Sequence, residues 1–232
     1  GQYSLTELWN ECKIKYTEAV GRGQFDLNDC LSAFQYAIDN GQKFRGHNLC
    51  WNGEGYNPAW LVEGNNDGTY GSEDLAKILV NHIMNVVSNI TINGSVPYAW
   101  DVVNEAIGWN SDTKKTEIRS DAPWSNITSG SLSRGTTTYE YSDYVELAFL
   151  AAKQFIPGDS LLCYNDYGLS WSEDRFEAVL DLVQNNNDYI DCLGLEAHIN
   201  VNCEAWKGSC NGGGESQLNV TELDSFINRV GD

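Results

Sequence analysis

The stretch Tyr98-Ala99-Trp100-Asp101-Val102-Val103-Asn104-Glu105-Ala106 decides how this chain folds. A short apolar run rich in β-branched and aromatic residues ends in an amide and a carboxylate, the pattern of a buried strand whose carboxyl end carries chemistry. The same reading applies to Phe44-Arg45-Gly46-His47-Asn48-Leu49-Cys50-Trp51, to Ser160 through Tyr164 and to Ile190 through His198. Between these runs, apolar residues recur at spacings of three and four from about Leu27 to Asn40, Ser72 to Ser88, Tyr139 to Phe155 and Ser172 to Gln184, which predicts helices. Ser72 and Ser172 place a hydroxyl where an N-cap belongs.

Strands alternating with helices imply a parallel sheet. Polar and aromatic residues gather at the carboxyl ends of the strands: His47 and Trp51, Asn104 and Glu105, Asn165 and Asp166, Glu196 and His198. A (β/α)8 TIM barrel builds its active site there, while the strand middles fill the interior. A doubly wound open sheet also binds ligands at carboxyl ends, but the sequence has no GxGxxG or Walker-type loop. Gly53-Glu54-Gly55 and Gly212-Gly213-Gly214 read as plain loops. The expected fold is therefore a (β/α)8 barrel, with residues 1–232 forming a single domain.

The net charge of −19 disfavours phosphate backbones and anionic membranes, so nucleic acid and membrane are not expected partners. No apolar run reaches the roughly 18 to 20 residues a membrane helix needs. Eight Trp and twelve Tyr supply flat apolar faces with a polar edge, which suit sugar rings. The start at Gly1-Gln2, without Met or a signal-like segment, and the four sequons at Asn89, Asn93, Asn126 and Asn219 lead to the expectation of a mature, secreted, extracellular chain. The seven cysteines contain no CxxC or Cys/His cluster, so no metal site is expected. Cys203 with Cys210 is the first expected disulfide and Cys12 with Cys30 the second. Cys50, Cys163 and Cys192 sit in strand-like runs and read as buried core residues.

Four stretches together resemble glycoside hydrolase family 10, whose members are mainly retaining endo-1,4-β-xylanases on a (β/α)8 barrel. Trp100 to Ala106 is similar to that family's acid/base strand, and Arg45 to Trp51 to its third-strand motif. Tyr164-Asn165-Asp166-Tyr167 resembles the fifth-strand motif, and Leu193-Gly194-Leu195-Glu196-Ala197-His198 the sixth. The resemblance spans roughly residues 10 to 200. It implies that Glu105 is the catalytic general acid/base, that Asn104 bonds the 2-hydroxyl of the sugar beside the cleaved bond, that His47 and His198 hydrogen-bond sugar hydroxyls or the nucleophile, and that Trp51 packs on the substrate. Asn10 and Lys13 resemble the Asn and Lys after the family's second strand and join the expected substrate-binding set, as does Glu196. The family usually has Gln where Glu196 stands, so the role of that position departs from the pattern. No cofactor or metal is implied, because two carboxylates suffice for this chemistry. The expected partner is a polysaccharide, xylan or a xylo-oligosaccharide, acted on by a monomer.

A retaining glycosidase needs a second carboxylate about 5 to 5.5 Å from the first. Thr221-Glu222-Leu223-Asp224 matches the family's nucleophile motif. However, Leu223, Phe226, Ile227 and Val230 recur at helical spacing with Asn219 or Thr221 as N-cap, and the Gly-rich segment before them leaves no room for a crossover helix. Glu222 thus reads as helical, and the nucleophile is expected outside these residues. No first strand is visible, since Gln2 to Trp9 looks helical or irregular. The expected barrel is therefore incomplete at both ends, a partial record of a longer chain. The alternative function is a non-catalytic carbohydrate-binding or inhibitory relative of the xylanase fold; a third is a barrel glycosidase acting on β-1,4-glucan.

Overall fold

The computed structural model describes residues 4–134, 137–169 and 172–196. In chain order the elements are β1 (Leu5–Glu7), α1 (Ile14–Thr17), α2 (Asn28–Asp39), β2 (Lys43–Trp51), α3 (Ala59–Asn66), α4 (Ser72–Asn89), β3 (Ala99–Asn104), β4 (Ile107–Asn110), β5 (Lys115–Ile118), β6 (Gly130–Arg134), β7 (Thr137–Tyr141), α5 (Tyr144–Phe155), β8 (Leu161–Tyr167), α6 (Glu173–Asn185) and β9 (Cys192–Glu196). Five strands form one sheet in the order β1-β2-β3-β8-β9, with every pairing parallel. Sheet order follows chain order without reversal, as in a barrel wall and unlike a doubly wound sheet.

Burial explains the strand compositions. Every residue of β3 is buried, because parallel strands are covered on both faces and hence read as continuous apolar runs. The outer cover comes from α4, through Leu75, Leu79, Ile83 and Val86, and from α5, through Leu147, Ala148, Ala151 and Ala152. On β2 a Cβ at Gly46 would lie 2.3 Å from the Trp100 ring, so only glycine lets that indole pack between strands.

Several sequence expectations are corrected. Leu5–Glu7 is a strand paired with Lys43–Arg45, not helical or irregular. Three residues are too few to display an alternating pattern, and the segment owes its conformation to the edge of β2. Helix α5 starts at Tyr144, five residues later than the periodicity suggested, because Thr137–Tyr141 pairs with Gly130–Arg134 as a hairpin. Asp143 then caps the helix, its carboxylate accepting from the N–H groups of Val145 and Glu146 at 2.8 and 3.0 Å. Ser172 caps α6 as expected, whereas Ser72 is the first residue of α4 and its hydroxyl accepts from the Thr128 N–H at 2.8 Å.

The Cys12–Cys30 disulfide is present. Cys163 and Cys192 are not separate core thiols: they face each other across β8 and β9 and form a disulfide. Cys50 is a buried free thiol. Cys203, Cys210, His198 and Glu222 lie outside the described residues.

Candidate active site

Glu105 follows β3 directly and has φ +50°, a left-handed conformation that costs a non-glycine residue roughly 1 kcal/mol or more. Its surroundings enforce it. The Glu105 N–H donates to the Asn165 carbonyl at 2.8 Å, and the N–H groups of Ala106 and Ile107 donate to the Tyr164 hydroxyl at 3.0 and 3.2 Å. Two successive residues of β8 thus hold the turn that aims the Glu105 carboxyl group.

The space in front of it is a cleft of about 480 Å³, lined by Glu7, Leu8, Trp9, Lys13, Arg45, His47, Trp51, Glu105, Asn165, Leu195 and Glu196. Along β2, His47 Nδ1 lies 2.9 Å from Asp101 Oδ2 and 3.6 Å from Glu7. Asp101 is fully buried and also accepts from Arg45, whose Nε is 2.9 Å away. Donor atoms of Glu7, His47 and Asp101 lie within 4.8 Å of one another, a spacing a cation could bridge. Arg45 already occupies that role, sitting on Asp101 and 3.4 Å from Glu7.

Trp51 stacks on Tyr56 with ring centroids 3.7 Å apart and planes 5° from parallel, while Lys13 Nζ lies 4.8 Å from the Trp51 ring centre. Asn10 does not line the cleft; its Oδ1 accepts from Lys13 Nζ at 3.2 Å and so positions that ammonium group. Asn104 is likewise behind the cleft wall, wholly buried, and its Oδ1 accepts from Asn165 Nδ2 at 2.7 Å.

The carboxyl group of Glu105 is pushed up to about 7 by burial first, then by the negative charges of Glu196 and Asp166, against the opposing pull of Arg119 and Arg175. Burial also raises the proton affinity of Glu7 and lowers that of Lys13. Asp166 is raised by burial, while Arg175 and the Tyr164 hydroxyl favour its charged form. Arg175 also donates to the Ile107 carbonyl at 2.7 Å, tying α6 to the segment after Glu105.

Of the residues expected from sequence, Glu105, His47, Trp51, Lys13 and Glu196 meet in one cleft, with Asn104 and Asn10 supporting it. Glu7, Trp9 and Arg45 are cleft residues that sequence reasoning missed. Asn165 and Asp166, expected at the carboxyl end of a strand, lie inside β8. They belong to the apparatus around Glu105.

The sequence profile described as "Glycosyl hydrolase family 10" matches residues 3–230. The chain belongs to glycosyl hydrolase family 10. Endo-1,4-beta-xylanase A of Caldicellulosiruptor saccharolyticus is 28% identical over 180 residues, covering 77% of this chain and 46% of that protein. The crystal structure of a family 10 xylanase from Bispora sp. MEY-1 with xylobiose aligns with TM-score 0.67 at 26% identity, covering 84% of this chain and 54% of that one. Xylanase 10B from Thermotoga petrophila RKU-1, in complex with xylobiose, aligns with TM-score 0.72 at 22% identity, covering 98% and 57%. The last likeness speaks to fold alone. The chain spans about half the length of each of these three proteins.

These family 10 neighbours are (β/α)8 barrels, and the sequentially ordered parallel sheet β1-β2-β3-β8-β9 is part of such a barrel wall. In such a frame a partly buried carboxyl group that holds its proton to about pH 7 can give that proton to a leaving oxygen and later take one from water.

Proposed function

We propose that this chain carries the acid/base side of a retaining endo-1,4-β-xylanase centre, with Glu105 as general acid and then general base. One observation supports this above the rest: Glu105 is held in a left-handed turn at the carboxyl end of a barrel strand, with its proton affinity raised to about 7, facing a sugar-sized cleft. In the first step Glu105 protonates the glycosidic oxygen as the C–O bond breaks and a second carboxylate bonds the anomeric carbon. In the second it removes a proton from the water that releases the sugar. The attacking carboxylate is assigned to no described residue.

The remaining roles follow from what each side chain offers. Trp51 lines the cleft and its Nε1 is a donor with no partner among the described residues, which suits it to a sugar hydroxyl. Asn104 joins the substrate contacts by resemblance alone. His47, held by Asp101, and Lys13, held by Asn10, present further polar contacts, and the Trp51–Tyr56 stack forms an apolar wall. His198 joins the substrate contacts by resemblance alone. Xylan is the proposed substrate because the Caldicellulosiruptor saccharolyticus and Bispora sp. MEY-1 proteins named above are xylanases, the second solved with xylobiose.

Glu105→Gln in the full chain tests this reading. Release of reducing ends from xylan should fall by at least about a thousandfold while xylo-oligosaccharide binding persists. Turnover equal to the parent's would sink the assignment.

We also propose secretion. Two disulfides call for an oxidising compartment, and Asn89, Asn93 and Asn126 are exposed within their sequons. Intact mass before and after deglycosylation of the chain from a eukaryotic host checks the glycosylation half of this.

A further inference from the structure

A side-chain amide has two ends of opposite polarity and nearly identical shape, so its orientation is set by what it bonds to. At Asn165 both ends are engaged by charged groups. Arg45, which can only donate, reaches Oδ1 at 3.3 Å, and the carboxylate of Glu196, which accepts when ionised, takes Nδ2 at 2.6 Å. The Asn165 Nδ2 also donates to Asn104 Oδ1 at 2.7 Å. That bond commits the oxygen of Asn104. Its Nδ2 is left buried without a partner among the described residues.

We propose that Glu196 is a positioning residue: with Arg45 it fixes the hydrogen-bond polarity of Asn165 and, through it, of the buried Asn104, so that the end of Asn104 left unpaired is its N–H donor rather than its carbonyl. Any substrate contact of Asn104 rests on the resemblance and the reading above; the amide polarity does not. The backbone is shaped for the clamp. Gly194, paired in register with Asn165, is the residue before Leu195 and Glu196, and a Cβ there would lie 2.1 Å from Arg45 Nη2 and 2.2 Å from Asn165 Oδ1. Any larger side chain at 194 would push apart the groups that set the amide. A glutamine at 196 could present either its oxygen or its NH2 to Asn165, and the orientation would no longer be imposed from that side.

The same carboxylate favours the protonated state of Glu105. Asp166 on β8 acts in the same sense, Arg119 after β5 and Arg175 on α6 oppose it, and Lys13 faces both Glu105 and Glu196. One side chain therefore orients the buried amides behind the cleft and helps keep the proton on Glu105.

The test is Glu196→Gln in the full chain, read by the side-chain amide resonances of Asn165 and Asn104 in nitrogen-15-labelled protein. In the parent both amides should exchange slowly with water. In the variant their exchange should quicken at least tenfold, with a change in the Asn104 shift, while the thermal midpoint stays within a few degrees. Amide shifts and exchange unchanged from the parent would overturn the proposal. If Glu196→Gln loses its native thermal transition, Gly194→Ala, which disturbs Arg45 and Asn165 but leaves the carboxylate, should give the same quickening, and its failure to do so overturns the proposal equally. If the parent chain does not hydrolyse xylan, the functional reading fails, and the amide exchange still decides this one.

Discussion

Tyr164 and Asp166, two residues apart on one face of β8, are joined by a hydrogen bond from the Tyr164 hydroxyl to the Asp166 carboxylate. The same hydroxyl accepts from the Ala106 and Ile107 N–H groups, so a single oxygen connects the turn behind Glu105 to a buried carboxylate that Arg175 neutralises. Removing the oxygen orphans groups on both sides. Tyr164→Phe should destabilise the protein by about 2–4 kcal/mol, because a buried carboxylate and two backbone donors lose a partner at once. Urea denaturation measures this. The variant should also lose xylan turnover out of proportion to its stability at assay temperature, since the left-handed turn of Glu105 loses two of its three backbone anchors.

The proton affinity of Glu105 makes two pH predictions with a defined sign. As general acid it must be protonated, so kcat/KM on xylan should fall as pH rises through about 7. For stability the folded state holds this proton more tightly than an unfolded chain, whose carboxyl titrates near 4.5. The contribution is full below about 4.5 and is lost as pH rises from there to about 7. Allowing for the partial exposure of the group, the loss should be about 1–2 kcal/mol. Glu105→Gln should abolish it, becoming more stable than the parent at pH 8 but not at pH 4, as read by denaturation at the two pH values.

How far the sequence reveals this site depends on how local each signal is. Trp100 to Glu105 is legible because an apolar strand interior and a polar strand end are both written within a few residues. Glu7 is not, since a three-residue strand has no period of its own and is defined only by its pairing with Lys43 to Arg45. Arg45 reads as one charged residue in an apolar run until the fold places Asp101 and Asn165 beside it. Asn165 and Asp166 have the residue types of a turn, so their place at a strand end is legible only through the resemblance, and the pairing of β8 with β9 puts them inside the strand. The Cys163–Cys192 bond joins two strands separated by a helix. Nothing near either cysteine in the sequence announces the other.

That disulfide carries its own prediction. It closes a loop of 29 residues across the strand pair that presents Asn165 and Glu196. Constraining such a loop in the unfolded chain is worth roughly 3–4 kcal/mol. The double variant Cys163→Ser with Cys192→Ser should lose stability of about that size in urea. It should also bind xylo-oligosaccharides more weakly in calorimetry, because the register of β8 and β9 sets the Asn165–Glu196 bond. Full stability in the double variant would show that strand packing alone holds the pair.

The Trp51–Tyr56 stack separates two contributions to sugar binding. Trp51 offers the cleft an apolar face, backed by Tyr56, and an indole N–H that no described residue accepts. Trp51→Phe removes the N–H and part of the ring but keeps an aromatic face; Trp51→Ala removes the wall. If the face dominates, Trp51→Phe should weaken xylo-oligosaccharide binding by only about threefold, and Trp51→Ala by about 10- to 100-fold, the equivalent of roughly 1.5–3 kcal/mol of lost aromatic burial. If the unpaired N–H dominates, the two variants should weaken binding alike, because both leave the same sugar oxygen without its donor. The buried position of that nitrogen favours a measurable N–H share, so the expected result is a Trp51→Phe loss that is smaller than that of Trp51→Ala but not negligible. Titration calorimetry with one xylo-oligosaccharide across the three proteins resolves it.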